Sequence, residues 1–231
     1  SAAVGGVRTW WSEYLALQSV RDDNLQLRQD LSRMQITLQQ ERAMAQRTRT
    51  LEELLDLRSR LPLATVGASV IAGRASPDFR TLTVDKGTTD GLGPDMAVIA
   101  PAGVVGRVIT PGARAAKVQL LIDRNAAVGV MLERSRVQGV AEGNGAEMRL
   151  NYLPGGADVV AGDMVVTSGL DGIYPQGFVV GQIESVERGT GDLGAITLRP
   201  TVDFSSLETV LVVTTPFRLA ESKPAAGFGT Q

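Results

Sequence analysis

The spacing of apolar residues along this chain changes at Pro62. Residues 7–61 contain no Gly or Pro, and their apolar positions recur at intervals of three and four, which is typical of an amphipathic helix. Beyond Pro62, short apolar runs alternate with turn residues, and 24 of the 26 glycines and nine of the ten prolines lie there. The pattern therefore predicts a long N-terminal α-helix followed by a mainly β region.

The predicted helix, residues 1–62, carries an apolar seam with the spacing of a coiled coil. Its seven positions, which we predict to form a dimer interface, are Leu17, Val20, Asn24, Leu27, Leu31, Met34 and Leu38. Asn24 favours an aligned parallel pair, because a lone Asn in such a seam is best satisfied by its counterpart. The alternative is a single amphipathic helix that packs on its own barrel.

The region after Pro62 reads as a series of strands separated by turns. Its length and the absence of a helical period that could form crossover connections predict antiparallel barrels rather than a parallel sheet. The twelve predicted strands are Val66–Ala72, Thr81–Lys86, Met96–Ile99, Val104–Thr110, Lys117–Ile122, Val128–Leu132, Val137–Ala141, Glu147–Tyr152, Met164–Thr167, Phe178–Val186, Ala195–Thr201 and Thr209–Val213.

An internal repeat divides these strands into two groups. Gly93–Ile99 resembles Ala161–Thr167, and Gly103–Val108 resembles Gly177–Ile183. In each pair a Gly or Asp turn precedes a Val-rich strand, and a glycine in the next strand permits a bend at a barrel corner. Two related small barrels are therefore expected.

The expected organisation has four parts. A coiled-coil helix occupies 1–62, a first β-barrel 63–125, a second β-barrel 126–216, and a disordered tail 217–231. The C-terminal strands are left open, because they could return to complete the first barrel.

The second repeat contains a seven-residue insertion between its strands, Ser168–Tyr174 with Pro175 and Gln176 beyond, and binding functions often lie in such a loop. The candidate partner-binding residues are Ile173 and Tyr174 on this inserted loop together with Tyr152 and Phe178, since exposed aromatic side chains contribute strongly to interfaces. Packing in a barrel core is the alternative for Tyr152 and Phe178. Five glycines are expected to serve turns or close strand approach, and they are Gly106, Gly169, Gly172, Gly177 and Gly181.

Composition excludes several classes of function. The chain has no His and no Cys, so His-dependent nucleophilic triads and the usual zinc, copper and haem sites are ruled out. Composition leaves open a Mg²⁺ or Ca²⁺ site built from carboxylates alone, but no cofactor is expected. A net charge of -2 argues against nucleic acid as a partner. No run is apolar enough to cross a membrane, although Trp10 and Trp11 suit a membrane interface.

The β region resembles the MreC family of cell-shape proteins. The matching blocks are Gly103–Val108, Asp163–Gly169, Asp171–Gly177 leading to Val180 and Gly181, and the closing strand Glu208–Val213. These blocks occur in this order behind a predicted coiled coil, and together they are more specific than any one of them.

The resemblance implies a non-enzymatic periplasmic scaffold of the bacterial elongation machinery, which controls cell shape. It implies dimers, in some members filaments, and binding to an elongation-class penicillin-binding transpeptidase and to the MreD and MreB complex. It also implies anchoring to the inner membrane by a segment that lies outside this sequence.

Three other functions are alternatives to this one. A purely structural filament former would need an additional self-complementary barrel surface, which the sequence does not reveal. A periplasmic adaptor subunit of a membrane transport complex also joins helices to small β domains, but it typically uses a helical hairpin, for which this chain shows no return helix. A serine protease at Ser168 would need a lysine as its base, since His is absent, and no motif links a lysine to that serine.

Overall fold

The computed structural model describes residue 31 and residues 33–59, 61, 63–75, 80–188 and 193–215. It contains one α-helix in this part of the chain, α1, which comprises residue 31 and residues 33–59, and twelve β-strands. The predicted fold class, a helix followed by two antiparallel barrels, is confirmed. The expected disordered tail at 217–231 lies outside the described residues. No helix among the described residues is long and apolar enough to cross a membrane.

Every predicted strand is present, and most bounds differ by one to three residues. The strands are β1 Thr65–Ala75, β2 Arg80–Val84, β3 Ala97–Ala100, β4 Gly103–Pro111, β5 Ala116–Leu120, β6 Ala127–Leu132, β7 Gln138–Gly143, β8 Met148–Asn151, β9 Met164–Thr167, β10 Val179–Arg188, β11 Leu193–Pro200 and β12 Thr209–Val213. A single 3-10 turn, Thr88–Asp90, lies between β2 and β3.

The strands form two closed antiparallel barrels of six strands each. The first runs in the order β1-β12-β3-β4-β5-β2, and the second in the order β10-β11-β8-β7-β6-β9. The last strand, β12, therefore lies in the first barrel, although the expected range 126–216 assigned it to the second and left its return open. It pairs with β1 from Thr65 opposite Val213 and with β3 through Leu211 and Val212.

The helix contains three of the predicted dimerisation residues. Leu31, Met34 and Leu38 are 57%, 63% and 51% exposed. Leu17, Val20, Asn24 and Leu27 lie outside the described residues, so the seam as a whole stays a prediction. Near the C-terminal end of the helix, apolar side chains pack on the strand region. Leu54 is buried, and Leu57 packs against the core of that region.

The two barrels are joined by a short buried segment centred on Asp123. This carboxylate is 1% exposed and accepts hydrogen bonds from the backbone N–H of Arg80 (2.5 Å) and of Asn125 (2.9 Å) and from Nε2 of Gln119 (3.1 Å). A buried carboxylate is tolerated when its oxygens are satisfied in this way. Asp123 thereby ties the start of β2 to the connection between the barrels.

A second contact joins the barrels at the β3–β4 turn. The Thr201 hydroxyl, just after β11, donates to the Ala102 carbonyl at 2.8 Å. A Cβ atom at Gly103 would lie 2.3 Å from the Val179 carbonyl oxygen, so only glycine allows β10 to approach this closely. The barrels therefore meet here through a side-chain hydrogen bond and a close approach of two backbones.

Candidate partner-binding surface

The structure separates the four candidate residues of the second barrel. Tyr152 is 79% exposed, whereas Tyr174 is only 2% exposed. Ile173 and Phe178 are partly buried and pack against the core. The expectation that Tyr174 is exposed was wrong, because the inserted loop folds back and its aromatic ring fills the interior. Partner binding by Ile173 and Phe178 stays a prediction.

The inserted loop is held by two side chains at its ends. Asp171 accepts hydrogen bonds from the N–H groups of Ile173 (3.0 Å), Tyr174 (3.1 Å) and Gly129 (3.1 Å), the last on β6. The Thr167 hydroxyl donates to the Pro175 carbonyl at 2.5 Å and accepts from the Phe178 N–H at 3.0 Å. These bonds fix the loop with Tyr174 and Pro175 buried, whereas Leu170 stays exposed.

Tyr174 lies where charges of the first barrel also act on it. Burial raises the pKa of its phenol above the ordinary value, and the charges of Asp171 and Asp95 act in the same direction, while Arg107 opposes them. Arg107 and Asp95 belong to the first barrel and form an ion pair with Nη1 and Oδ1 3.1 Å apart. Charged groups of both barrels therefore act on the Tyr174 phenol.

Tyr152 follows the end of β8 in an uncommon backbone conformation. Its φ is +57°, in the left-handed region that residues other than glycine rarely adopt. Asn151 immediately before it is held by a 2.8 Å hydrogen bond from Nδ2 to Glu142 Oε2. An exposed aromatic side chain on a strained backbone that a neighbouring hydrogen bond holds in place indicates a binding role.

A groove of about 460 Å³ lies beside Tyr152. One wall is the segment from Leu150 to Gly156, and the other contains Gly194 and Ile196 of β11. β11 pairs with β8 only at Thr197 and Leu198, so its first residues have no β8 partner. Unpaired strand backbone beside an exposed aromatic residue is suited to an extended segment of another protein.

An ion-pair cluster supports the chain that follows this groove. Arg134 binds Asp163 through Nε–Oδ1 (2.7 Å) and Nη2–Oδ2 (2.9 Å), and its Nη1 lies 2.5 Å from Asp158 Oδ2. Asp163 is buried, and the Val160 N–H also donates to it at 3.1 Å. The hydrogen bonds from Arg134 hold the pKa of both carboxyl groups below the usual value. The hydrogen bonds of Arg134 thus attach residues 158–163 to the turn that follows β6.

The five predicted glycines meet either a turn or a close-contact requirement. Gly169, Gly172 and Gly177 have φ of +77°, +69° and +89° in the inserted loop. A Cβ at Gly106 or Gly181 would overlap the carbonyl oxygen of a residue on the neighbouring strand.

The protease alternative gains no support at Ser168. Its side chain is 8% exposed, and its Oγ accepts a hydrogen bond from the Leu170 N–H at 3.3 Å. A nucleophile must reach both a base and the substrate, and this hydroxyl is instead part of the loop structure.

Two features were not predicted from the sequence. One is the part of β11 that has no partner on β8, and the other is a cavity in the first barrel that is lined in part by Arg80. Neither has a sequence signal, because both depend on which strands stop pairing and where. The exposure of Tyr152 had one available signal, namely Pro154 two residues later, which ends the strand early.

Known proteins share this architecture. The family described as "Rod shape-determining protein MreC, barrel core" matches residues 70–214. The cell shape-determining protein MreC of Escherichia coli (strain K12) is 30% identical over 194 residues, which cover 83% of this chain and 53% of that relative. The chain thus spans about half the length of the relative.

Two solved structures extend the comparison to the fold. MreC from Pseudomonas aeruginosa is 27% identical with a TM-score of 0.62, and the match covers 65% of this chain and 99% of that one. A chain of the complex between Penicillin-Binding Protein (PBP2) and MreC from Helicobacter pylori is 19% identical with a TM-score of 0.55, and the match covers 66% of this chain and 99% of that one. The second likeness shows the fold alone. With its barrel core matched from β1 through β12, this chain belongs to the MreC family of rod shape-determining proteins.

Proposed function

We propose that this chain is a non-catalytic periplasmic scaffold of the machinery that elongates rod-shaped bacteria. Membership of a cell shape-determining family supports this role. The lack of His and Cys excludes His-dependent triads and thiol nucleophiles, and the proposed role needs only the free energy of binding. In this proposal a membrane anchor outside the sequence holds it at the inner membrane, in a complex with MreD and MreB.

Its second barrel binds an elongation-class penicillin-binding transpeptidase and influences that enzyme's activity. The observation that carries this proposal is Tyr152, whose exposed ring stands beside a groove with unpaired strand backbone. The Helicobacter pylori structure, a complex between PBP2 and MreC, supports a partner of this class. An extended segment of the transpeptidase would lie along β11 and cover the ring.

Replacing Tyr152 with Asn tests this surface without disturbing the backbone. Asn removes the aromatic ring and accepts the left-handed conformation readily, so the barrel should keep its stability. Loss of a central aromatic anchor costs about 2 kcal/mol, which weakens binding roughly 30-fold. The measurement is the Kd for the purified periplasmic part of the cognate transpeptidase, by calorimetry, together with the melting temperature.

Ile109→Ala provides the matched control. Ile109 is 38% exposed on β4 of the first barrel, outside the inserted loop and the Tyr152 groove, so its truncation also removes exposed apolar area. We expect its Kd to stay within about twofold of the unmodified protein, as is usual outside an interface. An unchanged Kd for Tyr152→Asn in a folded protein would remove the groove from the interface.

We also propose that the chain forms a parallel dimer through the helical seam. The exposure of Leu31, Met34 and Leu38 in α1 supports this, since apolar side chains at this spacing lose contact with water when two helices pair. The seam residues 17–27 continue the same spacing in the sequence.

Shortening the chain to begin at Glu53 is expected to convert the dimer into a monomer. This boundary keeps Leu54 and Leu57, which pack on the core, and removes the whole seam. Molar mass from light scattering should fall from two chains to one at the same concentration. A full chain that is monomeric at every accessible concentration would contradict the dimer.

A further inference from the structure

The first barrel has a cavity of its own, formed where β1 is irregular. The pairing of β1 with β2 shifts between Val70 and Ala72, and a cavity of about 390 Å³ opens beside this bulge. Its apolar lining comes from several elements of the barrel and from the loop that leads into β12. The main apolar contributors are Val70, Leu82, Leu120, Ile122, Phe204 and Leu207.

Arg80 is the single cationic residue among those that line this cavity. It forms no ion pair with any described residue, and its Nε–H is buried without a hydrogen-bond acceptor. Its backbone N–H is held by Asp123 at 2.5 Å, which places it at the start of β2. The side chain as a whole is only partly buried, so the rest of its guanidinium group is accessible.

The partial burial of the Arg80 side chain without a partner is unfavourable for the stability of the barrel. A buried N–H without an acceptor costs free energy, and an arginine in an apolar surrounding is normally paired. Removal of water from part of the guanidinium strengthens its attraction for an anion at the accessible edge. The residue is therefore better suited to binding than to holding the barrel together.

We propose that this cavity binds a partner protein through an apolar side chain that stands next to a carboxylate. The apolar side chain enters among Phe204, Leu207 and Ile122, and the carboxylate pairs with Arg80. One arginine without a second cation matches the single charge of a carboxylate better than the double charge of a phosphate. The cavity lies in the first barrel, so this binding is separate from the Tyr152 groove.

The test uses the full chain and small probes of defined chemistry. Acetyl-Leu-Glu-Leu-amide presents an acidic side chain, N-acetyl-leucine presents the carboxylate of a chain end, and acetyl-Leu-Gln-Leu-amide and N-acetyl-leucinamide are their uncharged counterparts. Amide NMR shifts at Thr81, Leu82 and Leu207 report binding. We expect at least one charged probe to bind there at millimolar concentration and its uncharged counterpart to bind roughly tenfold more weakly.

Two arginine variants complete the experiment. Arg80→Gln should weaken binding of the charged probe roughly tenfold and leave binding of the uncharged probe unchanged. It removes the charge of the side chain and keeps the backbone hydrogen bond to Asp123. Arg114→Gln, at an exposed arginine in the turn between β4 and β5, should change neither. The proposal is overturned if neither charged probe shifts these amides, or if charged and uncharged probes bind equally well. Equal loss of binding in both arginine variants would also overturn it, since that indicates a general effect of surface charge.

Discussion

The Gly106→Ala variant is expected to destabilise the first barrel strongly. Gly106 lies in β4, between Val98 of β3 and Leu120 of β5. An added Cβ would stand 1.8 Å from the Gln119 carbonyl oxygen and 2.8 Å from its carbon. These are backbone atoms of a paired strand, so no side-chain rotation relieves the overlap. We expect a loss of about 3 kcal/mol or more, at the upper end for overpacking.

Gly73→Ala is the matched control for this variant. Gly73 is also a strand glycine of the first barrel, on β1, but a Cβ there meets nothing within 4 Å. Its replacement should be neutral or stabilise by about 0.4–1 kcal/mol, because alanine lowers the entropy of the unfolded chain. Thermal and urea unfolding of both variants provide the measurement. Equal stability of the two would show that the contact at Gly106 is relieved by a small strand shift.

Tyr174→Ala is expected to unfold the protein more readily, with a loss of about 3–5 kcal/mol, the usual cost of deleting a buried aromatic ring. Tyr174 is 2% exposed, so its removal should leave a cavity in the core. The free energy of unfolding in urea measures the effect, and a stable Tyr174→Ala variant would contradict it.

Tyr174→Phe separates the ring from the hydroxyl group. It keeps the packing, so most of the stability should remain at neutral pH. Burial raises the folded-state pKa of Tyr174 above the unfolded value of about 10, so the folded form resists deprotonation. The contribution to stability is thus complete below about pH 10 and declines as the pH rises further. Tyr174→Phe should lack this part of the alkaline decline in unfolding free energy.

The internal repeat shows how far the sequence was informative and where it misled. The sequence aligns Asp95 with Asp163, but Asp95 and Gly162 occupy the same place in the fold. The Asp95 N–H donates to Val108 in the first barrel as the Gly162 N–H donates to Ile183 in the second, both at 2.8 Å. Both residues have positive φ, +58° and +95°. The repeat is therefore shifted by one residue, because turn geometry and strand pairing set the equivalence rather than the identity of the side chain.

Local pattern was sufficient for the elements of this protein. The lack of Gly and Pro in residues 7–61 indicated the helix, and short β-branched runs between turn residues located all twelve strands. Strand and helix preferences depend on neighbours in the sequence, so one chain carries that information. The absence of His and Cys likewise limited the chemistry without reference to any fold.

Only the tertiary structure decided which barrel contains β12, which of Tyr152 and Tyr174 is exposed, and that Arg80 borders a cavity. Each of these depends on contacts between residues far apart in the chain. When a barrel closes, several strand edges could make the same backbone hydrogen bonds. The edge that pairs then determines which side chains become buried. Hydrophobicity and turn chemistry do not distinguish those edges, whereas the packed structure does.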